Sequence, residues 1–345
     1  MKQYGKEKLI KIEAEDLFDK TITKTANNCK VYFRFLENQC LRLCWEYESG
    51  IDGCIQFKCS NEISIPESIT INGEDYRVTE IGICAFSFYS WIKSIYIPKS
   101  VNTIECDAFW RFSNRGICSE LSEIRVSEKN ETYDSRENCN AIIETKTNTL
   151  IVGCTNSVIP SSVERIRSGA FCDSDFKTIR IASNIIDIGF GFADCPHVTS
   201  IEVSEDNKYY DSRGDCNAII ETATNTLIRG CKNTKIPNTV KIIAFHAFDA
   251  VVGLKTITIP NGVRIIDRWA FSNCWSLETV EIPKSVHTIR ESAFVSNYIK
   301  SVTIKNKKAK INKRAFDSQA IINGQPRDYW LPIEGDYLDL QKNKH

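Results

Sequence analysis

The fold of this chain is decided by a repeated segment whose clearest copy, residues 254–274, reads LKTITIPNGVRIIDRWAFSNC. In its first part Ile257 and Ile259 alternate with threonines, which is the pattern of a half-buried strand. Pro260 has no backbone N–H and ends that strand, and Asn261-Gly262 supplies a turn. The apolar residues that follow predict a second short strand and then a helical turn.

The same pattern recurs at intervals of 21 to 23 residues, as between Phe248 and Phe271, and an Ala-Phe pair or once a Gly-Phe pair marks each copy. One copy cannot bury its apolar face alone, so a sustained period means units stacked on one another. We therefore predict a repeat solenoid, mainly β with short helical turns. Its phenylalanines should form a buried structural ladder: Phe86, Phe109, Phe171, Phe192, Phe248, Phe271, Phe294 and Phe316.

The pattern I-x-I-P-x-x-V-x-x-I-x-x-x-A-F, as in Ile95-Tyr96-Ile97-Pro98 with Val101, Ile104 and Ala108-Phe109, resembles the BspA-type leucine-rich repeat. The match covers about residues 60–320. The resemblance implies a leucine-rich-repeat horseshoe or right-handed superhelix with a parallel sheet on one face. It also implies a bacterial protein, displayed on the cell surface for adhesion and without a shared enzymatic activity.

The regular interval breaks twice, and each break contains nearly the same insertion. Residues 127–160 and 204–237 are identical at 24 of 34 positions, at an offset of 77. Apolar arms flank Thr-Lys-Thr-Asn in one copy and Thr-Ala-Thr-Asn in the other, which predicts an inserted β-hairpin in each. A turn centred between residues 146 and 147, or 223 and 224, places these cysteines opposite one another: Cys139 with Cys154, and Cys216 with Cys231.

Cysteines that face each other across two strands are candidates for a disulfide, although two small packed thiols explain the same spacing. The insertions also share Asp134 and Arg136, repeated as Asp211 and Arg213. These residues are either a ligand-reading element on a projecting loop or an internal ion pair that fixes the insertion to the solenoid. The second interpretation is favoured.

The repeats divide the chain into three parts. Residues 1–60 form an N-terminal leader and β cap, with strands in 31–35 and 40–45 and at best a short amphipathic helix in the first 20 residues. Residues 61–320 form the solenoid, and residues 321–345 a C-terminal cap or tail. Zinc is not predicted, because Cys40, Cys44, Cys54 and Cys59 are too loosely spaced for zinc knuckles.

The composition argues against several classes of function. With 44 basic and 44 acidic side chains the net charge is zero, which disfavours nucleic acid as a partner. There is no apolar run of 18 or more residues, so no transmembrane segment is expected, and no export signal is visible. Three of the four histidines fall at different phases of different repeats and the fourth, His345, is terminal, which leaves no catalytic constellation or cofactor site. We expect no enzyme.

The remaining candidate site is the outward face of the repeat sheet. Exposed faces of repeat proteins are extended binding surfaces, and tyrosine and arginine are enriched at binding hot spots. Each position can equally be a solvated sheet residue. The predicted binding residues are Tyr96, Arg125, Arg180, Glu202 and Glu281.

The leading hypothesis is a cell-surface or secreted scaffold that binds a macromolecule of a host or a neighbouring cell, such as an extracellular-matrix protein, through its repeat sheet and its two insertions. An intracellular, cytoplasmic interaction or inhibitor protein is the alternative, motivated by the missing export signal. A glycan-binding module is a third alternative, motivated by three tryptophans: Trp91, Trp110 and Trp275.

Overall fold

The computed structural model describes residues 9–13, 30–36, 38–44, 61–71, 73–83, 85–86, 92–106, 108–109, 120–172, 174–332, 336–338 and 340. They belong to two compact units, Met1–Val163 with Gly169–Phe171, and Glu164–Ser168 with Cys172–His345. Strands dominate both units, and the helical segments described are short 3-10 turns at Arg136–Asn138, Arg213–Asp215 and Arg327–Trp330. Over the same residues, no helix has the length and apolar character needed to cross a membrane.

The first unit contains one mixed sheet, with antiparallel and parallel strand pairs, one parallel sheet and the antiparallel strands of the first insertion. The sheet orders are β1-β2-β3-β6-β5 with β8 beside β6, then β4-β7-β9, then β10-β11-β12. The strands are β1 Leu9–Glu13, β2 Lys30–Leu36, β3 Cys40–Cys44, β4 Glu62–Ser64, β5 Ser68–Ile71, β6 Glu74–Ile81, β7 Ser94–Ile97, β8 Thr103–Ile104, β9 Glu123–Val126, β10 Tyr133–Asp134, β11 Ile142–Glu144 and β12 Thr149–Val152.

The second unit holds most of the repeats. Its sheets have the orders β14-β15, β16-β17-β18-β19-β21-β23-β25 and β20-β22-β24-β26-β27. The strands are β13 Arg165–Ile166, β14 Thr178–Ile181, β15 Ser200–Val203, β16 Tyr210–Asp211, β17 Ala218–Glu221, β18 Thr226–Gly230, β19 Ile242–Ile243, β20 Thr256–Thr258, β21 Ile265–Ile266, β22 Thr279–Ile282, β23 Thr288–Ile289, β24 Ser301–Ile304, β25 Lys310–Ile311, β26 Ile321–Ile322 and β27 Gln325–Pro326.

The repeat at residues 254–274 has both predicted strands. Its first strand, β20, exposes both threonines and turns Ile257 inward. The Val263 N–H then donates to the Pro260 C=O at 3.1 Å and closes the turn into β21. Successive repeats pair in parallel, β20 with β22 and β21 with β23, without a register shift. Each repeat therefore adds one strand to each of two parallel series, whereas the resemblance implied a parallel sheet on one face.

The phenylalanines of the second unit form a continuous stack. The rings of Phe248 and Phe271 lie 4.8 Å apart, and Phe294 and Phe316 continue the stack at 5.0 Å spacings with interplanar angles of 6° to 8°. All four are at most 1% exposed. A fully buried phenylalanine contributes about 2 to 3 kcal/mol at ~25 cal/mol per Å² of apolar area. The stack is thus a major part of the core of this unit.

The other predicted ladder residues are less uniform. Phe86 and Phe109 stack at 5.0 Å in the first unit, where Phe109 is only half-buried. Phe171 is fully buried, and Phe192 is buried with its ring edge-on to Phe176 at 6.3 Å. The irregular repeat around Phe192 was the one with a Gly-Phe pair and a shifted isoleucine in the sequence.

The helical turn predicted around each Ala-Phe pair is present as tight hydrogen-bonded turns. The Ser272 N–H donates to the Trp269 C=O at 3.2 Å, three residues back. Trp269 has φ of +58° and Asn273 of +55°, which interrupt a right-handed helix. The main chain instead bonds to the next repeat, because the Phe271 N–H donates to the Ala293 C=O at 2.8 Å.

The ends of the array differ from expectation in one respect. The N-terminal helix is wrong, because Leu9–Glu13 is a strand that pairs antiparallel with β2. Its residues alternate between apolar and charged, a period of two that suits a strand. The predicted strands at 31–35 and 40–45 correspond to β2 and β3. At the other end Trp330 is buried and its indole N–H donates to the Ile322 C=O at 2.9 Å.

Candidate functional site

The outward face of the first parallel sheet brings two predicted binding residues together. Tyr96 on β7 lies directly opposite Arg125 on β9 in the strand register. The Tyr96 side chain is exposed, and the Arg125 side chain is 72% exposed. Arg125 forms an ion pair with Glu123 on its own strand. This face therefore presents an aromatic ring beside a guanidinium group.

The second unit brings two more together. Arg180 on β14 lies opposite Glu202 on β15, and Arg180 Nε donates to Glu202 Oε2 at 3.0 Å. The two side chains are 71% and 55% exposed, and an ion pair this exposed adds little stability. Glu281 lies on a separate sheet, between Thr258 and Thr303, and pairs with Lys305.

Each insertion contributes three antiparallel strands. The predicted hairpins are present as β11-β12 and β17-β18, and β10 and β16 each add a strand that the sequence reasoning missed. The extra strand starts at a buried tyrosine whose hydroxyl accepts a main-chain N–H of the preceding repeat. Tyr133 accepts from Ile104 at 2.9 Å, and Tyr210 accepts from Ile188 at 3.2 Å.

The shared aspartate and arginine form an internal ion pair in both insertions, as the favoured interpretation predicted. Arg213 Nε donates to Asp211 Oδ1 at 2.7 Å and Nη2 to Oδ2 at 2.5 Å. Arg213 Nη1 also donates to Asn225 in the hairpin turn at 2.6 Å, and Thr222 donates to Asp211 Oδ2 at 3.0 Å. Arg136 makes the same contacts in the first copy, to Asp134 and Asn148.

Burial of these carboxyl groups raises their pKa, but the arginine and threonine hydrogen bonds more than offset it. The pKa values of Asp134 and Asp211 are therefore lowered. The arginine of Arg213-Gly214-Asp215 cannot extend toward a partner while its guanidinium is held in this way. The first copy has Arg-Glu-Asn at the same place, so the arginine has a structural role in both.

The predicted pairing register does not extend to the cysteines, because each hairpin contains a β-bulge. Next to the turn, Ile143 pairs with Leu150, as predicted. The next residue of β11, Ile142, pairs with Val152, so β12 has one extra residue at this point. The second copy has the same shift between Ile219 and Ile220. Because of the bulge the cysteines are not directly opposite. The thiols are free in the structure: Cys139, Cys154, Cys216 and Cys231.

The free thiols are buried and hydrogen-bonded. Cys139 Sγ donates to the Ala141 C=O at 3.7 Å, and Cys154 Sγ to the Asn140 C=O at 3.4 Å. Burial raises the pKa of both thiols, which disfavours the reactive thiolate. The disulfide stays a prediction for thiol titration.

An asparagine in each insertion caps the edge of the neighbouring parallel sheet. The side-chain amide of Asn217 accepts the Ile201 N–H at 2.6 Å and donates to the Thr199 C=O at 3.0 Å. It thereby replaces one peptide group of a missing neighbouring strand. Asn140 does the same to Ile124 and Ser122, at 2.7 Å for each bond. Both asparagines have positive φ, near +57° to +59°.

A groove of about 720 Å³ opens beside this cap in the second unit. We name it the β15 groove. One wall is the edge of β15 and the two residues after it. The other walls are residues 211–215 of the insertion and the segment around Asn233 and Lys235. Its charged residues are Glu202, Glu205, Asp211, Arg213, Asp215 and Lys235. Since Asp211 and Arg213 neutralise each other, carboxylates outnumber cations among the rest.

The β15 groove lies where the repeat pattern places the next strand. Pro237 corresponds to Pro260 in the repeat register, so Lys235 corresponds to the outward Thr258. Residues 232–236 nevertheless form no strand. Their main chain bonds to the insertion instead, with the Lys235 N–H donating to the Cys216 C=O at 3.0 Å. The insertion has therefore separated β15 from the segment that would extend its sheet.

The most prominent titratable cluster is structural. His246 Nδ1 lies 2.5 Å from Asp249 Oδ2, and Asp249 also accepts hydrogen bonds from Ser272 and Asn273. Burial raises the pKa of Asp249, but the hydrogen bond and charge of His246 lower it overall. Ser272 is fully buried and bonds to the carboxylate, not to the imidazole. This arrangement does not activate a serine nucleophile.

Other predicted features are only partly visible. Among the described residues no group of three or more histidine, cysteine or acidic side chains is placed to hold a metal ion. Cys54 and Cys59 lie outside the described residues, as do Trp91 and Trp110. Trp275 is 40% exposed.

Comparison with known proteins identifies the repeats. The BspA type leucine rich repeat region matches in six copies, over residues 54–151, 143–214 and 220–324, which is more than half of the chain. No curated protein matches the chain.

Several solved structures are similar. A leucine rich cell surface protein from Faecalibacterium prausnitzii is 18% identical, with 87% of this chain and 94% of that chain covered and a TM-score of 0.41. A leucine-rich repeat protein from Eubacterium ventriosum is 16% identical, with coverages of 84% and 96% and a TM-score of 0.38. The pneumococcal vaccine antigen PcpA is 16% identical, with coverages of 86% and 90% and a TM-score of 0.35.

Proposed function

Because the chain belongs to the BspA-type leucine-rich repeat family, we propose that it is a non-enzymatic binding scaffold. It binds macromolecular partners, chiefly proteins, through the outward faces of its parallel sheets. It does so at a cell surface or after secretion, as an adhesin-like protein. The partner is a protein of a host or of a neighbouring cell.

The observation that carries this proposal is the placement of exposed, chemically distinct side chains in register on a rigid support. Beneath them, Ile95, Ile124, Ile179 and Ile201 are at most 4% exposed and fix the strands. Neighbouring strands in a sheet lie about 4.8 Å apart, so the outward side chains form rows of fixed spacing. The strands that carry these side chains are already ordered before a partner binds, which reduces the entropic cost of binding.

The exposed ion pairs suit a binding role. The Arg180–Glu202 pair is exposed and contributes little to the free energy of folding. Each of the two side chains can therefore leave the other and pair with a charged group of a partner at small cost in free energy. Tyr96 and Arg125 supply two of the three side-chain types that most often dominate binding energy at protein interfaces, the third being tryptophan.

The test is capture of proteins from host extracellular matrix by the immobilised full chain. A triple variant, Tyr96→Ala with Arg125→Ala and Arg180→Ala, should lose most of the captured protein. The matched control is Arg314→Ala, because Arg314 is 73% exposed and also pairs with a glutamate, but lies outside these sheet faces. Equal capture by the triple variant and the wild type would refute the proposal.

Location is tested separately. Fractionation of cells that express the chain from its native gene should place it at the surface or in the medium. Recovery from the cytosol alone would favour an intracellular interaction protein. A glycan array with wild type and Trp275→Ala distinguishes a protein ligand from a carbohydrate ligand.

A further inference from the structure

The edge of β15 is open along the β15 groove. Main-chain groups of alternate residues point to opposite sides of a strand. Ser200 and Ser204 donate their N–H groups to Lys177 and Ile181 on the β14 side. The N–H groups of Ile201 and Val203 therefore point to the groove side. Within the described part of the chain β15 has a strand neighbour on one side only.

Only the first part of this edge is capped. Asn217 satisfies Ile201 N–H and Thr199 C=O with its amide. The next groups along the edge, Ile201 C=O and the N–H and C=O of Val203, face the groove. Val203 is also only half-buried, whereas Ile181 opposite it on β14 is 2% exposed. The open part thus offers main-chain hydrogen bonds and an apolar contact together.

The groove has the length for a short strand. Residues 200–205 line it without interruption, and a strand rises about 3.3 Å per residue. Its volume of about 720 Å³ is within the range of ligand sites, which are typically about 300 to 1,000 Å³. An extended peptide that lies beside β15 forms a new edge strand, the binding mode known as strand addition.

The charges indicate which peptide suits the groove. Glu205 and Asp215 are exposed carboxylates on facing walls, and no described side chain neutralises either of them with an ion pair of the kind that joins Asp211 to Arg213. An alternating peptide places every second side chain on the same face, so a lysine or arginine there can reach these carboxylates.

We propose that the β15 groove binds an extended, basic segment of a partner protein, which pairs with the open edge of β15 at Val203. This inference rests on the proposed binding function and names a second surface for it. The sheet face recognises a folded surface, whereas the β15 groove takes an unfolded segment or a chain terminus. Lys235, on the opposite wall of the groove, repels a positively charged side chain of the peptide next to it. It therefore limits how many basic residues a bound peptide can contain.

The experiment is selection of decapeptides from a display library with one position fixed as lysine, against the immobilised full chain. Enriched peptides should contain a second basic or a β-branched residue at alternate positions. The double variant Glu205→Lys with Asp215→Lys should enrich none of them. Both substitutions are exposed and leave the Asp211–Arg213 pair intact.

Two further measurements separate main-chain pairing from charge attraction. Val203→Pro removes an N–H that β14 does not use, and proline is tolerated at a sheet edge, so the variant should fold. It should weaken binding of an enriched peptide about tenfold, the effect of one or two hydrogen bonds. Val126→Pro, at the equivalent position in the other unit, is the control and should leave binding unchanged.

N-methylated versions of the enriched peptide test the same point with wild-type protein. Methylation of the central backbone nitrogens should reduce affinity at least about tenfold, whereas substitution of outward-facing side chains should not. Equal affinity of methylated and unmethylated peptides, unchanged binding by Val203→Pro, or a library without enriched peptides would each overturn the inference. A concentration-dependent dimer that Val203→Pro abolishes would also overturn it, because the occupant would then be a second copy.

The outcome is distinguishable from that of the proposed function. Tyr96, Arg125 and Arg180 do not line the groove, and Glu205 and Asp215 do not lie on the sheet strands. Matrix capture lost in the triple variant, together with no peptide binding, would reject the groove inference alone.

Discussion

Gly230 lies against the ring of Phe248, so closely that a methyl group at Gly230 would come within 2.3 Å of the ring carbon Cε1. Gly153 has the same relation to Phe171, at 2.0 Å. Both glycines precede the second cysteine of an insertion. On its other face the ring of Phe248 stacks on Phe271. The glycine backbone therefore fills the space that another ring fills elsewhere in the stack.

Gly230→Ala should destabilise the protein by about 1 to 3 kcal/mol, the usual cost of overpacking a tight core. The midpoint of urea unfolding should fall with little change in its slope. Gly214→Asn is the control, because Gly214 has φ of +63° and no atom within 4 Å of an added Cβ, and asparagine tolerates that backbone. Similar midpoints for both variants would contradict the close packing.

Phe271→Ala should cost about 3 to 5 kcal/mol, because it leaves a cavity between two stacked rings in a fully buried site. Phe109→Ala should cost clearly less, since Phe109 is half-buried. The comparison is made by urea unfolding of both variants. A smaller loss for Phe271→Ala than for Phe109→Ala would show that the stack is not a main source of stability.

The aspartates of the insertions should make stability sensitive to acid. Burial raises their pKa, but the hydrogen bonds from arginine and threonine lower it overall, from an ordinary value of 3.8. As the pH falls, these two carboxylates are therefore protonated in the unfolded chain at a higher pH than in the folded protein. Their contribution to the unfolding free energy is complete above about pH 4 and is lost as the pH falls through the lowered values.

Urea unfolding between pH 7 and pH 2 tests this dependence. The double variant Asp134→Asn with Asp211→Asn should be less stable at pH 7 and should lose less stability on acidification than the wild type. An equally steep acid dependence in the variant would mean that other carboxyl groups cause it.

The thiols should differ in reactivity according to burial. Among the cysteines whose burial the structure describes, Cys106 is exposed and should react first with a thiol reagent at pH 8. Burial raises the pKa of Cys139, Cys216 and Cys274, so these should react only slowly in the native protein. Mass spectrometry of the labelled sites gives the order, and fast labelling of Cys274 would contradict its burial.

The disulfide prediction has its own measurement. Titration of the denatured, unreduced protein should find eleven free thiols of the fifteen cysteines if both insertions are oxidised. Fifteen free thiols would refute both pairs. Variants Cys154→Ser and Cys231→Ser then assign an intermediate result to one copy.

Much of this arrangement follows from residue patterns. The alternation of Thr256, Ile257 and Thr258 predicts the strand and its outward face, and the Thr-Asn turn predicts the hairpin. These patterns are reliable because burial selects one face of each strand, and the period of two then fixes the other face.

The rest depends on contacts that no pattern encodes. The bulge beyond Ile143 shifts the pairing of the two strands by one residue, so the register of the turn does not extend to Cys139. Nothing in the sequence distinguishes Asn140 and Asn217 from other polar loop residues. Only the fold shows that their side-chain amides cap the edge of a strand. The repeated Cys-Asn-Ala was the available signal, but it did not distinguish cysteine from asparagine as the important residue.

The hydrogen bonds from each insertion to the preceding repeat go largely to main-chain atoms of that repeat. Asn207 donates to the carbonyl groups of Ala182 and Ile185, and Tyr210 accepts the N–H of Ile188. Any regular repeat offers the same main-chain groups, whatever side chains it carries. The insertion therefore asks little of the side chains of the preceding repeat, and we expect a chain with these repeats to gain another such element by transplanting about 34 residues, provided that the following repeat keeps the phenylalanine that packs on the insertion glycine.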